Sequence, residues 1–321
     1  MENKNLIKSI VFVVIFLLIL AILSKIFIRK NNAENEDMQE KVARGISAEP
    51  ENTIDLLIVG DSESYSSFIP LEVWHESGIA SYVCGTPAQN LSHTLTLIKR
   101  ATEKQNIKII ALETNELFRK FTIDKPLVEF VNKAFPVFDE HDEWKRLKAE
   151  ELFSDVNYTN IQETKGYYYS KKIKRVKKIK EVEKTNKVKK IRYINKFYLR
   201  KIKEFCDKNN IKLILFSSPS NKNWTYEKHN GIQKLADQIN ADFIDLNLKI
   251  DELNIDWTVD SRDRGDHLNY TGALKVTKYM TDYFSENENL PDHRNDEKYN
   301  YWNILYDKYK NKIQEDQQKQ N

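Results

Sequence analysis

The chain has 321 residues, with 51 basic and 48 acidic side chains, a net charge of +3 and two cysteines. That length accommodates one sizeable domain with appendages. The near balance of charge argues against a uniformly cationic nucleic-acid binder. Two cysteines, Cys84 and Cys206, with no Cys-x-x-Cys pair argue against a disulfide framework or a zinc site, and both are expected in the interior.

Residues 1–8 form a short N-terminus read as cytoplasmic. No charge occurs over 9–24, and 10–23 is an unbroken apolar run. Extended by Ile26, Phe27 and Ile28, the segment 9–28 approaches the roughly 20 residues that span a bilayer. Neither a small-x-small cleavage site nor a lipobox cysteine follows, which favours an uncleaved signal anchor over a removed signal peptide. Lys4 and Lys8 precede the run and Lys25, Arg29 and Lys30 follow it, so the positive-inside rule barely discriminates. Residues 29–53 are polar and acidic and read as a stalk.

A domain is expected over 54–285. The run from Leu56 to Val59 predicts a buried strand that ends in Gly60-Asp61-Ser62. A second strand is predicted over 80–84 and a helix over 89–104, where Leu91, Leu95, Ile98 and Ala101 recur at helical spacing. A third strand follows over 107–112, continuously apolar as in a sheet covered on both faces. Residues 121–192 read as an insertion. Its aromatic part, 121–169, is expected to shape a substrate cleft. Its lysine-rich part, 171–190, carries Ile173, Val176, Ile179 and Val182 every three residues and predicts an amphipathic helix with a basic face. Beyond it come a helix over 194–208, a strand over 212–216, a loop over 217–220, a helix over 229–239, a strand over 242–246 and a helix over 271–284. Residues 286–321 read as an aromatic-rich, polar tail outside the domain, ending in a frayed Gln-Lys-Gln-Asn.

Alternating strands and helices predict a parallel sheet between two helical layers. Ligands of such sheets bind beyond the carboxyl ends of the strands. Ser62, Gly85, Asn115 and the loop 217–220 all follow predicted strands and should share one rim.

A serine hydroxyl is a poor nucleophile until a base takes its proton. Ser62 at a strand end and His267 late in the chain are candidates for the two roles. Carboxylates lie one and four residues before the histidine. Asp263 is preferred to Asp266 as its partner, because an adjacent side chain usually points elsewhere. A capping loop before the last predicted helix, with Asn269 or Thr271 as cap, is the structural alternative. A metal site built from Asp263, Asp266 and His267 lacks a second histidine at ligand spacing.

Gly60-Asp61-Ser62 and the run from Asp263 to Ala273 resemble the first and last blocks of the SGNH (GDSL-type) hydrolases. The resemblance covers residues 50–285 but is carried by two short motifs. It implies a three-layer α/β/α, flavodoxin-like fold, with Ser62 as nucleophile, His267 as base and Asp263 or Asp266 orienting it. It further implies an oxyanion hole from the Ser62 amide, Gly85 and Asn115, and no cofactor. Glu63 stands where the family's leucine is usual, Arg264 where its aspartate is, and Glu113-Thr114-Asn115-Glu116 where Gly-x-Asn-Asp is. Asn115 is therefore also readable as a cap, with Gln89 and Asn90 as alternative contacts for substrate or oxyanion.

With the anchor, the chain is similar to bacterial envelope proteins of the DltD type, from teichoic acid D-alanylation, and to polysaccharide O-acetylation proteins. That likeness implies a single-pass membrane protein with an extracytoplasmic domain. Its substrate would be an acylated envelope polymer and its partner a membrane-bound O-acyltransferase, without nucleic acid. It implies an esterase or acyltransferase; an inactive scaffold of the same shape is the alternative.

Overall fold

The computed structural model describes residues 2–31, 45–120, 124–138, 145, 147–180 and 182–318. Two compact units divide the chain, Met1–Glu34 with Phe121–Asn160, and Asn35–Lys120 with Ile161–Asn321. In the first unit α1 (Glu2–Phe27) is one uninterrupted helix. Its stretch Lys4–Phe27, 24 residues, is long and apolar enough to cross a membrane. Side chains such as Phe12 and Leu18 are exposed along it. After the helix, Lys30 Nζ donates to the carbonyls of Lys25 (2.7 Å) and Ser154 (2.8 Å), and the Asn157 amide donates to the Lys30 carbonyl.

The elements that follow in chain order are β1 (Leu56–Gly60), α2 (Ser62–Ser67), α3 (Pro70–Ser77), β2 (Ser81–Gly85), α4 (Leu91–Thr102) and β3 (Ile109–Glu113). Next, α5 (Asp124–Ala134) belongs to the first unit. The second unit resumes with α6 (Tyr193–Lys208), β4 (Lys212–Ser217), α7 (Tyr226–Ile239), β5 (Asp242–Asp245), α8 (Tyr270–Asn287) and α9 (Asn300–Gln318).

The five strands form one parallel sheet in the order β2-β1-β3-β4-β5. Side chains of a strand alternate between faces, and the core divides accordingly. Leu57, Val59, Ile110, Leu112, Leu213 and Leu215 join a cluster with apolar residues of α4, α6 and α7. Leu56, Ile58, Ile109, Ala111, Ile214 and Phe216 join another, with Val73, Val276, Met280 and Phe284. This is the three-layer α/β/α, flavodoxin-like arrangement expected from the sequence. The order reverses at β1, so the crevice beyond its carboxyl end, where Ser62 lies, is the position such sheets offer a ligand.

Four expectations need correction. Residues 45–53, read as stalk, belong to the second unit. Ile46 is in its core, and the Glu49 carboxylate meets Lys165 Nζ at 2.7 Å with both side chains fully buried. The polar composition runs across this boundary and hides it; residues 32–44 lie outside the described ones. The segment 121–169 is split rather than a single cleft-shaping insertion. Residues 121–160 group with the apolar helix, and Ile161 onward with the sheet.

The lysine-rich stretch 171–190 is an extended strap with no helix among its described residues. Its backbone bonds are spent elsewhere: Lys174 N–H on the Ser261 carbonyl, Val176 N–H on Trp257, and Lys189 N–H on Glu227. Only Val176 of the apolar set is buried, while Ile173 and Ile179 are exposed. Like charges three and four residues apart oppose a helix there.

The tail, read as lying outside the domain, belongs to the second unit. Trp302, Leu305, Tyr309 and Ile313 line one face of α9 and enter the core. The Trp302 ring stacks on Trp74 at 5.2 Å. Those positions were legible as a helical period, but the polar residues between them mask it.

Candidate active site

Gly60 ends β1 with φ +149°, and a Cβ there would lie 2.7 Å from the Glu113 Cβ. Only glycine lets the chain turn this tightly beside β3. Asp61 then caps α2, its carboxylate accepting from the Glu63 amide at 3.1 Å. The turn presents Ser62 as the first residue of that helix, half-buried beside the loop that precedes α8.

Ser62 Oγ and His267 Nε2 are 2.8 Å apart, and His267 Nδ1 lies 2.6 Å from Asp263 Oδ2. Two segments 205 residues apart thus complete one hydrogen-bonded line. Asp263 Oδ1 also accepts from the backbone amides of His267 (2.8 Å) and Asp266 (3.1 Å), which fixes the loop around the imidazole. Partial burial alone would raise its pKa, but the hydrogen bonds from His267 hold Asp263 below the usual carboxylate range. The Asp266 carboxylate instead accepts from Asn223 Nδ2 at 2.5 Å. Of the two candidate partners, the geometry joins Asp263 to the histidine. The structural alternative is also realised nearby, because Asn269 caps α8 by accepting from the Gly272 amide.

The remaining sequence candidates are placed differently. Gly85 ends β2 opposite Gly60 and is buried, and a Cβ there would lie 2.5 Å from Ser64 Oγ. Close approach of α2 already requires a glycine at this position. Asn115 Nδ2 donates to Asp61 Oδ2 at 3.0 Å, and its own amide donates to Glu113 Oε2 at 2.9 Å. Asn115 caps no helix with its side chain. Gln89 accepts from the Thr86 amide and donates to Thr94, while Asn90 caps α4 by accepting from the Ser92 and His93 amides. These bonds hold both residues in the loop's own framework.

Sequence reasoning missed a buried carboxylate cluster behind the serine. Asp61, Glu63, Glu113 and Glu116 are all at most 2% exposed. Arg119 pairs with Asp61, Nε lying 2.7 Å from Oδ2. Asn223 Nδ2 donates to Glu63 Oε1 at 2.9 Å. Burial first, and then the neighbouring Glu113 and Asp61, push Glu63 well above the carboxylate range. Glu116, buried against Thr94, is raised likewise. Lys228 Nζ donates to the Asn223 carbonyl and lies 3.5 Å from Asn115 Oδ1, with burial pushing its pKa down. Glu63, Glu113, Asn115, Asn223 and Lys228 line a small pocket of about 20 Å³, room for about one water molecule. The sequence signal was the pair of acids flanking Asn115, Glu113 and Glu116, but proximity in sequence does not say which acids are buried together.

Burial pushes Glu113 from 4.5 up to about 8, with the Asp61 charge adding to the rise. The folded state therefore binds a proton that the unfolded chain releases at lower pH. Stability from this group is full below pH 4.5 and is lost as pH rises through about 8. Thermal denaturation should show the midpoint falling between about pH 4.5 and about pH 8, and Glu113→Gln, which cannot ionise, should flatten that fall.

Among the described residues, ligand atoms of Glu63, Asp266 and His267 lie within 4.8 Å of one another. A cation there would compete with Ser62 and Asp263 for the imidazole, and with the Asn223 amide that bridges Glu63 and Asp266. Their hydrogen-bonding capacity is already engaged, the imidazole by Ser62 and Asp263 and the two carboxylates by Asn223.

The fold and the site together define an α/β/α domain with a Ser–His–Asp line at the switch point of its sheet. No family model and no curated protein matches the chain. Among solved structures, it is similar to a GDSL-like lipase from Bacteroides thetaiotaomicron at 10% identity, covering 77% of this chain and 97% of that one, with TM-score 0.39. An acetyl xylan esterase is similar at 14% identity, covering 73% and 98%, with TM-score 0.38. A lipase/acylhydrolase from Enterococcus faecalis matches at 10% identity, covering 73% and 96%, also with TM-score 0.38.

Proposed function

We propose that the chain is a serine ester hydrolase or O-acyltransferase of the SGNH type. In this reading α1 anchors it in a membrane, its domain lies outside the cytoplasm, and its substrate is an acylated envelope polymer such as a polysaccharide or teichoic acid. The observation that carries the chemistry is the unbroken line from Ser62 Oγ through His267 to Asp263, at 2.8 and 2.6 Å. The anchor reading is supported by α1, about 36 Å over Lys4–Phe27 at 1.5 Å per residue, against a hydrocarbon core of about 30 Å.

Ser62 Oγ attacks the acyl carbonyl carbon as its proton passes to His267 Nε2. Asp263 stabilises the imidazolium through Nδ1–H. Collapse of the tetrahedral intermediate breaks the ester C–O bond, and Nε2 returns the proton to the departing alkoxide. Water, or a polymer hydroxyl brought by a membrane-bound O-acyltransferase partner, then attacks the acyl-serine by the same steps reversed. The Ser62 amide, Gly85 and Asn115 are the proposed oxyanion donors, each worth about 3 kcal/mol where it acts.

A serine-directed fluorophosphonate tests the reading directly. Covalent labelling confined to Ser62 is expected. A folded chain that resists the reagent would instead support an inactive scaffold, a reading favoured by the engagement of Asn115 with Asp61. The two acids separate by substitution. Asp263→Asn should lower turnover by about 10³- to 10⁴-fold through loss of the imidazole's orientation. Asp266→Asn should change turnover by less than about tenfold, because Asp266 bonds to Asn223 rather than to the ring.

A further inference from the structure

The strap over 171–190 bears on where the site works. Eleven of its twenty residues are lysine or arginine and two are acidic. Among the described residues, only Lys171 of these cations has a carboxylate within ion-pair range, Asp316 at 3.8 Å. Lys174 is lowered chiefly by the charge of Lys172, with Arg264 adding to it and Asp263 only partly opposing it, so like charges outweigh opposite ones here. Between the cations, Ile173 (57%), Ile179 (56%), Val182 (41%) and Val188 (51%) are exposed.

The strap is also joined to the loop that carries the base. Lys174 N–H donates to the Ser261 carbonyl at 2.7 Å, and Arg264 N–H donates to the Lys174 carbonyl at 3.1 Å. Val176 Cγ2 would lie 2.8 Å from a Cβ built on Gly265, so the strap is packed directly on the segment between Asp263 and His267. Whatever neutralises these cations therefore lies beside the catalytic loop.

A dissolved polyanion would use the cations and leave the four aliphatic side chains in water. An anionic bilayer takes both, the cations at the headgroups and the aliphatics at the acyl boundary. We propose that the strap is a docking surface for an anionic lipid bilayer, holding the Ser62–His267 site at the lipid–water interface. The docking stands on the strap alone; its consequence, that ester substrate is met at the membrane surface, rests on the function proposed above.

The test uses the full chain reconstituted into vesicles of neutral phosphatidylcholine, or of phosphatidylcholine with about one-third phosphatidylglycerol, and follows acetylation of outward-facing lysines by mass spectrometry. On anionic vesicles Lys174, Lys177 and Lys178 should be modified about tenfold more slowly, with high salt abolishing the difference. Ile173→Ser with Ile179→Ser should weaken that protection. Equal rates on the two vesicles overturn the proposal. So does protection by soluble polyphosphate in detergent that matches the vesicles and ignores the isoleucine changes, since that outcome marks a polyanion-binding strap. Ser62→Ala should leave the footprint intact, so failure of the docking and failure of the catalytic reading are told apart.

Discussion

Replacement of Ser62 by alanine is expected to lower ester turnover by about 10⁴-fold or more while leaving the fold unchanged. The side chain is half-buried, and its Oγ bonds to His267. Its backbone carbonyl, which accepts from Ser66 Oγ, survives the change. Removing the hydroxyl thus deletes the nucleophile without opening a core cavity, and exposed or half-exposed substitutions of this kind usually stay within about 0.5 kcal/mol. His267→Gln should be comparably inactive. Because the two residues act as one unit, the double variant should be hardly worse than either single one. Turnover of a simple acyl ester, with circular dichroism as the check on folding, measures both effects. Full turnover in the alanine variant would remove Ser62 from the chemistry.

The largest expected loss of stability lies elsewhere, at Lys165. Its ammonium lies 2.7 and 2.8 Å from the two oxygens of Glu49, with both side chains fully buried. The Tyr301 and Trp302 rings lie 4.7 and 4.6 Å from Nζ, and Tyr301 Oη donates to Glu49 at 3.2 Å. Burial dominates both partners, raising Glu49 and lowering Lys165 in spite of their attraction. A buried pair of this kind adds little net stability, yet breaking it is costly because one group is left without its partner. Lys165→Met should cost about 3–5 kcal/mol in urea denaturation, and the double change with Glu49→Met should recover much of that loss. A single variant as stable as the parent would show that the pair does not tie residues 45–53 and α9 to the sheet.

The strands and the line of chemistry were legible because each leaves a local trace. A strand buried on both faces reads as a continuous apolar run, and Leu56 to Gly60 is one. A serine at the end of such a run and a histidine with a nearby acid before a helix are recognisable without coordinates. Periodicity likewise located α4, α6 and α8 to within a few residues at each end.

Other features depend on which distant groups meet. Asp263 and Asp266 stand four residues and one residue before His267, and the turn of the loop sends the first carboxylate to Nδ1 and the second to Asn223. The lysine-rich stretch has an apolar period suited to a helix, but its amides find better partners on Ser261, Trp257 and Glu227. Asp61, Glu63, Glu113 and Glu116 look like ordinary surface acids, whereas the fold buries them together and raises the pKa of the three glutamates. Local side-chain pattern therefore determined the sheet, its order of elements and the candidate nucleophile and base. The tertiary structure alone decided the histidine's partner, the strap's extended path and the inclusion of α9 in the core, because each turns on long-range hydrogen bonding and burial that no short window of sequence contains.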